Sequence, residues 1–307
     1  DLGQPGTPTR RPNRVGSVTA IQRTALNTSA SSPPPEVSRI PGSLPKAVAI
    51  TGGSNHAFAL LPDGSLRGWG LWQGEPATAP SSAMEVVHID SSDEAALALR
   101  SDGKVIAWSP RTVANPVIFQ APGGRAPISV HAGPEGSGYA LCSDGSVHSV
   151  GTAAPQPPTA MAVFTRLIFQ PTTRGWCALQ RDGSPLYWGA QLPGILPLPS
   201  GMRDLFDLEI ASGFAVALQR VGTLTGWGKT APDQSFRRRQ FTGAVEVVHD
   251  HADRVFAVHR NDHSWELAPN PNIPSYVAED RLSVLEGRLR GAIQALFTRE
   301  HVIALKP

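Results

Sequence analysis

Residues 249–263 hold the chain's one concentration of metal-type side chains: His249, Asp250, His251, Asp253, His259, Asp262 and His263. A first-row metal needs three or four such groups converging at about 2 Å. Here His249 and His251 straddle the end of an apolar run, whereas His259 and His263 lie beyond the next run. The set is spread along a hairpin and matches no recognised ligand spacing, so polar turns are the expectation and no metal is assigned. Catalytic motifs offer less. The sequence contains no Gly-x-Ser-x-Gly elbow, no phosphate-cradling glycine loop, no His-Glu-x-x-His pair and no cysteine set for zinc. No catalytic residue, cofactor or enzymatic activity is expected. Arg237, Arg238 and Arg239 form a short basic run, but the formal net charge is only +2 and aromatics for base stacking are sparse. Nucleic acid is therefore not the expected partner.

The elements that carry these residues repeat. Seven triplets place alanine between two larger residues: Phe58-Ala59-Leu60, Leu97-Ala98-Leu99, Tyr139-Ala140-Leu141, Cys177-Ala178-Leu179, Val216-Ala217-Leu218, Phe256-Ala257-Val258 and Ile303-Ala304-Leu305. The alanines are 39, 42, 38, 39, 40 and 47 residues apart, a near-constant period that marks a repeat architecture. A hairpin signal follows each triplet except the last: Asp63-Gly64, Asp102-Gly103, Asp144-Gly145, Asp182-Gly183, then the weaker Val221-Gly222 and Asp262-His263. Asp-Gly supplies the positive φ angles of a two-residue hairpin. Five residues after each glycine stands an anchor, Trp69, Trp108, Val150, Trp188 or Trp227. Residues 86–108 show three short strands, and proline-led runs such as Pro35–Ile40 and Pro116–Phe119 read as a fourth, outer strand. The alanines fit places where neighbouring sheets approach too closely for a larger side chain.

Four strands in each of seven units give an all-β, seven-bladed β-propeller of antiparallel blades. The seventh triplet ends at Leu305 with no hairpin partner behind it, and Gly16–Ile21 resembles Gly103–Trp108. Residues 15–21 are thus expected to pair with 300–305, closing the ring with an N-terminal strand and hiding two open edges. Residues 1–14, rich in proline and arginine, read as a flexible N-terminal segment, and 15–307 as a single propeller domain. Residues 279–290 place Leu282, Leu285 and Leu289 at helical spacing, but Val284 and Gly287 favour an outer strand with a covering turn; a docking helix is the alternative.

Cys142 and Cys177 fall on opposite faces of equivalent strands, so no disulfide is expected and the compartment stays open, with an extracytoplasmic or secreted setting favoured. The first residue is Asp1, which reads as a processed chain. No stretch reaches eighteen apolar residues, so no membrane insertion is expected. Four lysines against 23 arginines point to a GC-rich genome.

Gly52-Gly53-Ser54-Asn55-His56-Ala57-Phe58-Ala59-Leu60, with Asp63-Gly64 and Trp69-Gly70, resembles the regulator of chromosome condensation repeat, whose pattern runs Ala-Gly, two variable residues, His, Ala-Leu, Asp-Gly, Trp-Gly. The likeness covers residues 15–307 and is nearest to bacterial members such as the secreted β-lactamase inhibitory protein II type. No Trp-Asp dipeptide is present, so WD-repeat propellers are less similar. What the resemblance implies is a protein-binding scaffold whose partners dock on the loop-rich face. By strand direction that face collects Asn55, His56, Asp93, Glu94, Arg174, Phe214, Asp253, Arg254, Arg299, Glu300 and His301 from one set of loops, and Trp72, Arg237 and Arg238 from another. Aromatic and arginine residues are the usual interface anchors. The expectation is a non-enzymatic, monomeric interaction propeller, a sensor module of a larger bacterial protein binding an unidentified protein. The alternatives are a secreted enzyme inhibitor and an enzyme with its active site in the central channel.

Overall fold

The computed structural model describes residues 16–22, 40–42, 44–158, 163–170, 175–189, 202–211, 214–228, 239–240, 243–249, 255–269, 279–297 and 301–307. The expected flexible segment 1–14 and the outer strand at 35–39 lie outside the described residues. Strand β1 (Ser17–Gln22) precedes the first sheet, β2 (Ala49–Gly52), β3 (His56–Leu60), β4 (Leu66–Trp72) and β5 (Glu75–Pro76). The second sheet contains β6 (Val86–Ser91), β7 (Ala96–Arg100), β8 (Lys104–Trp108) and β9 (Val117–Gln120). The third contains β10 (Pro127–Ala132), β11 (Gly138–Cys142) and β12 (Val147–Val150), and the fourth β13 (Phe164–Gln170), β14 (Gly175–Gln180) and β15 (Pro185–Gly189). In the fifth are β16 (Leu205–Ala211), β17 (Phe214–Gln219), β18 (Thr223–Gly228) and β19 (Arg239–Gln240). The sixth is β20 (Ala244–His249), β21 (Val255–Arg260) and β22 (Trp265–Pro269), followed by helix α1 (Glu279–Leu289). The last sheet joins β23 (Gln294–Phe297) to β24 (His301–Lys306), and β1 pairs with the far edge of β24. The structure is thus almost entirely β, made of small antiparallel sheets.

Among the described residues, seven apolar clusters hold neighbouring sheets together, each drawn from two sheets in succession. Phe58, Leu60, Ile89 and Ala98 join the first to the second, and Leu97, Leu99, Val130 and Ala140 the second to the third. Tyr139, Leu141, Trp176 and Ala178 form the next, then Cys177, Leu179, Leu208 and Ala217, then Val216, Leu218, Val247 and Val258. Ala257, Trp265, Phe297 and Ala304 join the sixth to the last. Ile303 and Leu305 pack with Ile50, Ala57 and Ala59, which brings the last sheet against the first. In the first five sheets and the last, the triplet alanine faces the preceding sheet and its flanking residues face the following one. Alternation of side chains along a strand makes this sorting automatic. Both cysteines are free and buried in this packing.

The sixth sheet departs in register. Its Val247 pairs with Val258, as Leu208 pairs with Ala217, so the equivalent triplet is Ala257-Val258-His259 and the alignment on Phe256-Ala257-Val258 is one residue out. A one-residue slip exchanges the two faces of a strand, and Ala257 accordingly faces the last sheet. His259 then occupies the leucine position of the other triplets, 6% exposed and stacked on Trp265 at 4.3 Å. Residues 279–290 also correct an expectation. They form a helix rather than an outer strand, because Leu285 and Leu289, one turn apart, bury against Trp265 and Leu267 while Gly287 stands in open space. Glu286 Oε1 accepts the Leu267 N–H at 2.7 Å, satisfying an edge of β22 that a strand would otherwise cover.

The Asp-Gly hairpins carry three-residue loops rather than the expected two-residue ones. Gly64 N donates to Leu61 O at 3.0 Å and Leu61 N to Ser65 O at 2.9 Å, a type I turn followed by a bulge. Only the glycine is left-handed, Gly64 at φ 80°, and Asp63 Oδ1 instead accepts both Ser65 N (2.9 Å) and Ser65 Oγ (2.7 Å). β1 pairs with β24 from Ser17↔Lys306 to Gln22↔His301, two to three residues from the expected register. Just before it, Gly16 exchanges two backbone hydrogen bonds of 2.7 Å with Ala47, tying the clasp to the first sheet. A Cβ at Gly16 would lie 2.2 Å from Lys306 O, so only glycine fits.

Ala98 is fully buried between the first two sheets. Ala98→Leu is expected to overpack that seam and lower unfolding stability by about 1–3 kcal/mol. Chemical denaturation measures the effect, and an unchanged midpoint contradicts close sheet approach.

Candidate functional site

Two places among the described residues gather chemistry-bearing side chains. One is the corner where the loops of the first three sheets meet. Asp93 organises it: its Oδ1 accepts Ser54 N at 2.6 Å, its Oδ2 accepts Ser54 Oγ at 2.8 Å, and its backbone O accepts Trp72 Nε1 (2.9 Å) and Gln73 Nε2 (3.1 Å). His56 stacks on Trp72 at 4.7 Å and shares a 2.8 Å hydrogen bond with Ser91 Oγ. The chain of bonds continues outward. Glu94 O accepts Gly136 N at 3.1 Å, and Glu94 Oε2 accepts Glu135 N at 3.2 Å. Gln73 and Glu135 sit at φ 52° and 51°, in the left-handed region, and this network holds them there.

Of the residues expected at a partner surface, Asn55 is exposed, Asp93 and Glu94 are half-buried, and all three meet at this corner. His56 and Trp72 are there too, but each is only 1% exposed, so they hold the loops rather than face a partner. Arg174, Arg237, Arg238, Asp253, Arg254, Arg299 and Glu300 lie outside the described residues. Phe214 and His301 begin strands β17 and β24, and their side chains lie outside the description. Of the metal-type segment, His259 and His263 stack at 5.8 Å; no group of three potential ligands occurs among the described residues.

The second place was not anticipated. First strands of successive sheets lie side by side: β2 beside β6 and β23, β6 beside β10, β10 beside β13, β13 beside β16, β16 beside β20. Register sets Ala49, His88, Ser129, Arg166, Asp207, Glu246 and Gln294 at one level. Thr51, Asp90, His131, Ile168, Glu209, Val248 and Leu296 stand at the next. This belt is largely polar because a first strand is an open edge whose N–H groups need acceptors. Gln294 takes the Ile50 N–H at 3.0 Å and gives its own amide to Ile50 O at 2.6 Å. Asp90 accepts Ala132 N at 2.8 Å, Asp207 accepts Val247 N at 2.8 Å, and Thr51 Oγ1 accepts Ser91 N at 3.0 Å. Each bond runs from one sheet to the next.

Enclosure perturbs the belt's titrations. Burial pushes the Asp90 carboxyl up to about 6, against the N–H groups of Ala132 and Ser91 and with Glu209 adding repulsion. Burial likewise carries Asp207 up to about 7, although Arg166 Nε lies 2.6 Å from its Oδ1 and draws it down. For Arg166, burial opposes the charge, but Asp207, Glu246 and Glu209 outweigh it and raise its affinity for the proton. His131 is pushed down to about 3, first by burial and then by His88 and Arg166, so it is neutral at physiological pH. Polar residues alternating with Val86, Ile89, Leu205 and Leu208 look like the solvent face of any half-buried strand, which is why the belt is hard to see in sequence.

A carboxyl raised above its unfolded value favours the fold below about pH 4, and that contribution fades as pH rises through about 6 and 7. Asp90→Asn keeps an acceptor for Ala132 N without the charge. It is expected to melt above the wild type at pH 8, by at most about 3 kcal/mol in stability, with the gap closing by pH 4. A gap that widens on acidification contradicts the reading.

No family model and no curated protein matches this sequence. The resemblance to regulator of chromosome condensation repeats therefore has no family match behind it. Solved structures do match in fold. The CRINKLY WD40 ectodomain of the Arabidopsis thaliana receptor kinase ACR4 shares 19% identity over 74% of this chain and 80% of that one, with a TM-score of 0.54. Human WBSCR16 shares 13% identity over 84% and 86%, with a TM-score of 0.58. The computationally designed Ika8 protein shares 13% identity over 86% and 82%, at 0.54. These neighbours are of the WD40 or β-propeller type, although the present chain has no Trp-Asp dipeptide.

Proposed function

We propose that residues 15–307 form a single seven-bladed propeller, closed by β1, that binds a protein partner through its loop-rich face without catalysing a reaction. The observation that carries this reading is the hydrogen-bonded corner at Asp93. It fixes the loops of three sheets before any partner arrives, while Asn55, Gln73 and Glu135 stay exposed. A preorganised surface avoids the entropy of ordering loops on binding. Arg174, Phe214, Arg237, Arg238, Asp253, Arg254, Arg299, Glu300 and His301 belong to the same proposed face by their place in the repeat. The cycle of seven clusters and the β1–β24 pairing support closure.

An enzymatic reading draws on the belt, where carboxylates and histidines converge with shifted titrations. Its Asp90 and Asp207 oxygens are nevertheless engaged by backbone N–H groups of neighbouring sheets, which suits a structural role better. An inhibitor of the β-lactamase-inhibitor type calls for an aromatic loop face, and the described corner is acidic and amide-rich, with Trp72 buried.

Asn55→Ala, Glu94→Gln and Glu135→Gln combined, on a chain that still melts like the wild type, are expected to lose at least tenfold in capture of the partner from a bacterial lysate. Capture of the same proteins in equal amounts by both chains contradicts the loop face.

A further inference from the structure

The outer strands of the sheets differ in how they guard their open edges. In the first sheet the outer strand is β5, two residues long and made of Glu75 and Pro76. In the fifth it is β19, again two residues, Arg239 and Gln240. At the sixth, α1 stands beside β22 and Glu286 takes the outward Leu267 N–H. Brevity, charge, proline and a cover are the usual ways of keeping an open edge from pairing with another chain. The second sheet uses none of them. Its outer strand β9 has four residues, Val117-Ile118-Phe119-Gln120, without a charge or a proline.

β9 is held in place yet left open. It pairs along its whole length with β8, from Lys104↔Gln120 to Ala107↔Val117, which keeps it extended. Phe119 is half-buried at the seam with the third sheet, its ring 6.4 Å from that of His148. Val117 and Ile118 are instead 42% and 59% exposed, on opposite faces of the strand. Among the described residues, none outside the second sheet hydrogen-bonds the backbone of β9. Unpaired backbone groups between β-branched side chains, already in the extended form, are what the addition of a further strand requires.

Size and charge select the occupant. Four residues of strand span about 13 Å, whereas a stable association of two folded proteins covers about 800 Å² on each. The edge is too small to hold a second folded copy, but an extended segment draws its affinity from main-chain bonds along the strand itself. Charge points the same way. Arg100 and Lys104 share Asp102 at the Gln120 end. Arg111, in the connection that leads into Val117, is exposed and has no ion-pair partner among the described residues. Two copies would set these cations against each other. A segment added antiparallel to β9 instead brings its C-terminal end toward Arg111, where a carboxylate is favoured.

We propose that the outer edge of β9 is a strand-addition site. It receives an extended partner segment that is uncharged and β-branched or aromatic over about four residues and carries a carboxylate at its C-terminal end. The site rests on neither the loop face nor the ring closure, so it is a second recognition surface on the flank of the second sheet.

The probes are the peptide acetyl-Thr-Val-Tyr-Val-Thr-Glu-amide, the same peptide N-methylated at its valines and threonines, and a version ending in Gln, each titrated into the full chain by amide NMR. The first is expected to shift the amides of Ile118 and Gln120 and slow their hydrogen exchange. N-methylation, which removes main-chain donors and keeps the side chains, is expected to weaken binding at least tenfold. The Gln-ended peptide, or Arg111→Gln in the protein, is expected to weaken it about two- to fivefold, as an exposed ion pair does. Ile118→Asp and Val117→Asp, each first checked for wild-type melting, are expected to weaken it at least tenfold, and the loop-face triple variant to bind it normally. Equal binding of the methylated peptide, binding of none, indifference to the terminal carboxylate or to both Asp variants, or a dimer that Ile118→Asp dissolves overturns the proposal. A chain that ignores the peptide but still captures its partner through the loops would refute this edge and leave the loop face standing; the reverse pattern would do the opposite.

Discussion

Every sheet in this protein begins with a strand that has a neighbour on one side only, and the unpaired N–H groups of that strand set the terms for the rest. A buried donor left without an acceptor costs about 1–3 kcal/mol. The chain meets the demand sideways: Thr51, Asp90, Asp207 and Gln294 each offer an acceptor to the first strand of the next sheet. Gln294 does so across the junction of the chain's last sheet with its first, joining residues 244 apart in sequence. These bonds fix how far one sheet is rotated and shifted from the next. The alanines of strand two can then be packed without a gap, and the loops at the far end meet in a defined corner.

The charged members of the belt follow from the same demand. Carboxylates are strong acceptors, but enclosing them raises their proton affinity, so the stitching by Asp90 and Asp207 is accompanied by a pH-dependent penalty that the neutral Gln294 avoids. Arg166 offsets part of it at the seam between the fourth and fifth sheets. The sixth sheet shows what the design tolerates. A histidine replaces the core leucine, His263 takes the left-handed glycine position at φ 62°, and a helix stands where other sheets carry a fourth strand. Trp265 compensates by stacking on His259 and donating its N–H to Ala292 O at 2.9 Å.

Much of this could be read in the sequence because strand alternation is local. The Ala59, Ala98 and Ala140 triplets, the Asp-Gly turns and the terminal pairing all follow from short-range pattern and a fixed period. Register in the sixth sheet did not follow, since Phe256-Ala257-Val258 imitates the motif and only the pairing of Val258 with Val247 places it. The helix at 279–289 was misread because Gly287 points into open space, where its weakness costs little. The site was less legible than the fold. Strand direction sets Asn55, Asp93 and Glu94 on one side of the repeat, but nothing local reveals that Trp72 turns inward to reach Asp93 O. Nor does any local pattern show that His88 and Asp90 share one belt with Glu209, far away in sequence.

Closure by the N-terminal strand is the claim on which the proposed binding scaffold depends, and a disulfide tests it most directly. Ser17 and Lys306 are paired across β1 and β24. A chain carrying Ser17→Cys and Lys306→Cys together should oxidise to a monomer with an internal bond and melt higher than its reduced form, as closing a loop of nearly the whole chain requires. Failure to form that bond, or a bond found only between separate molecules, would contradict a ring closed on itself.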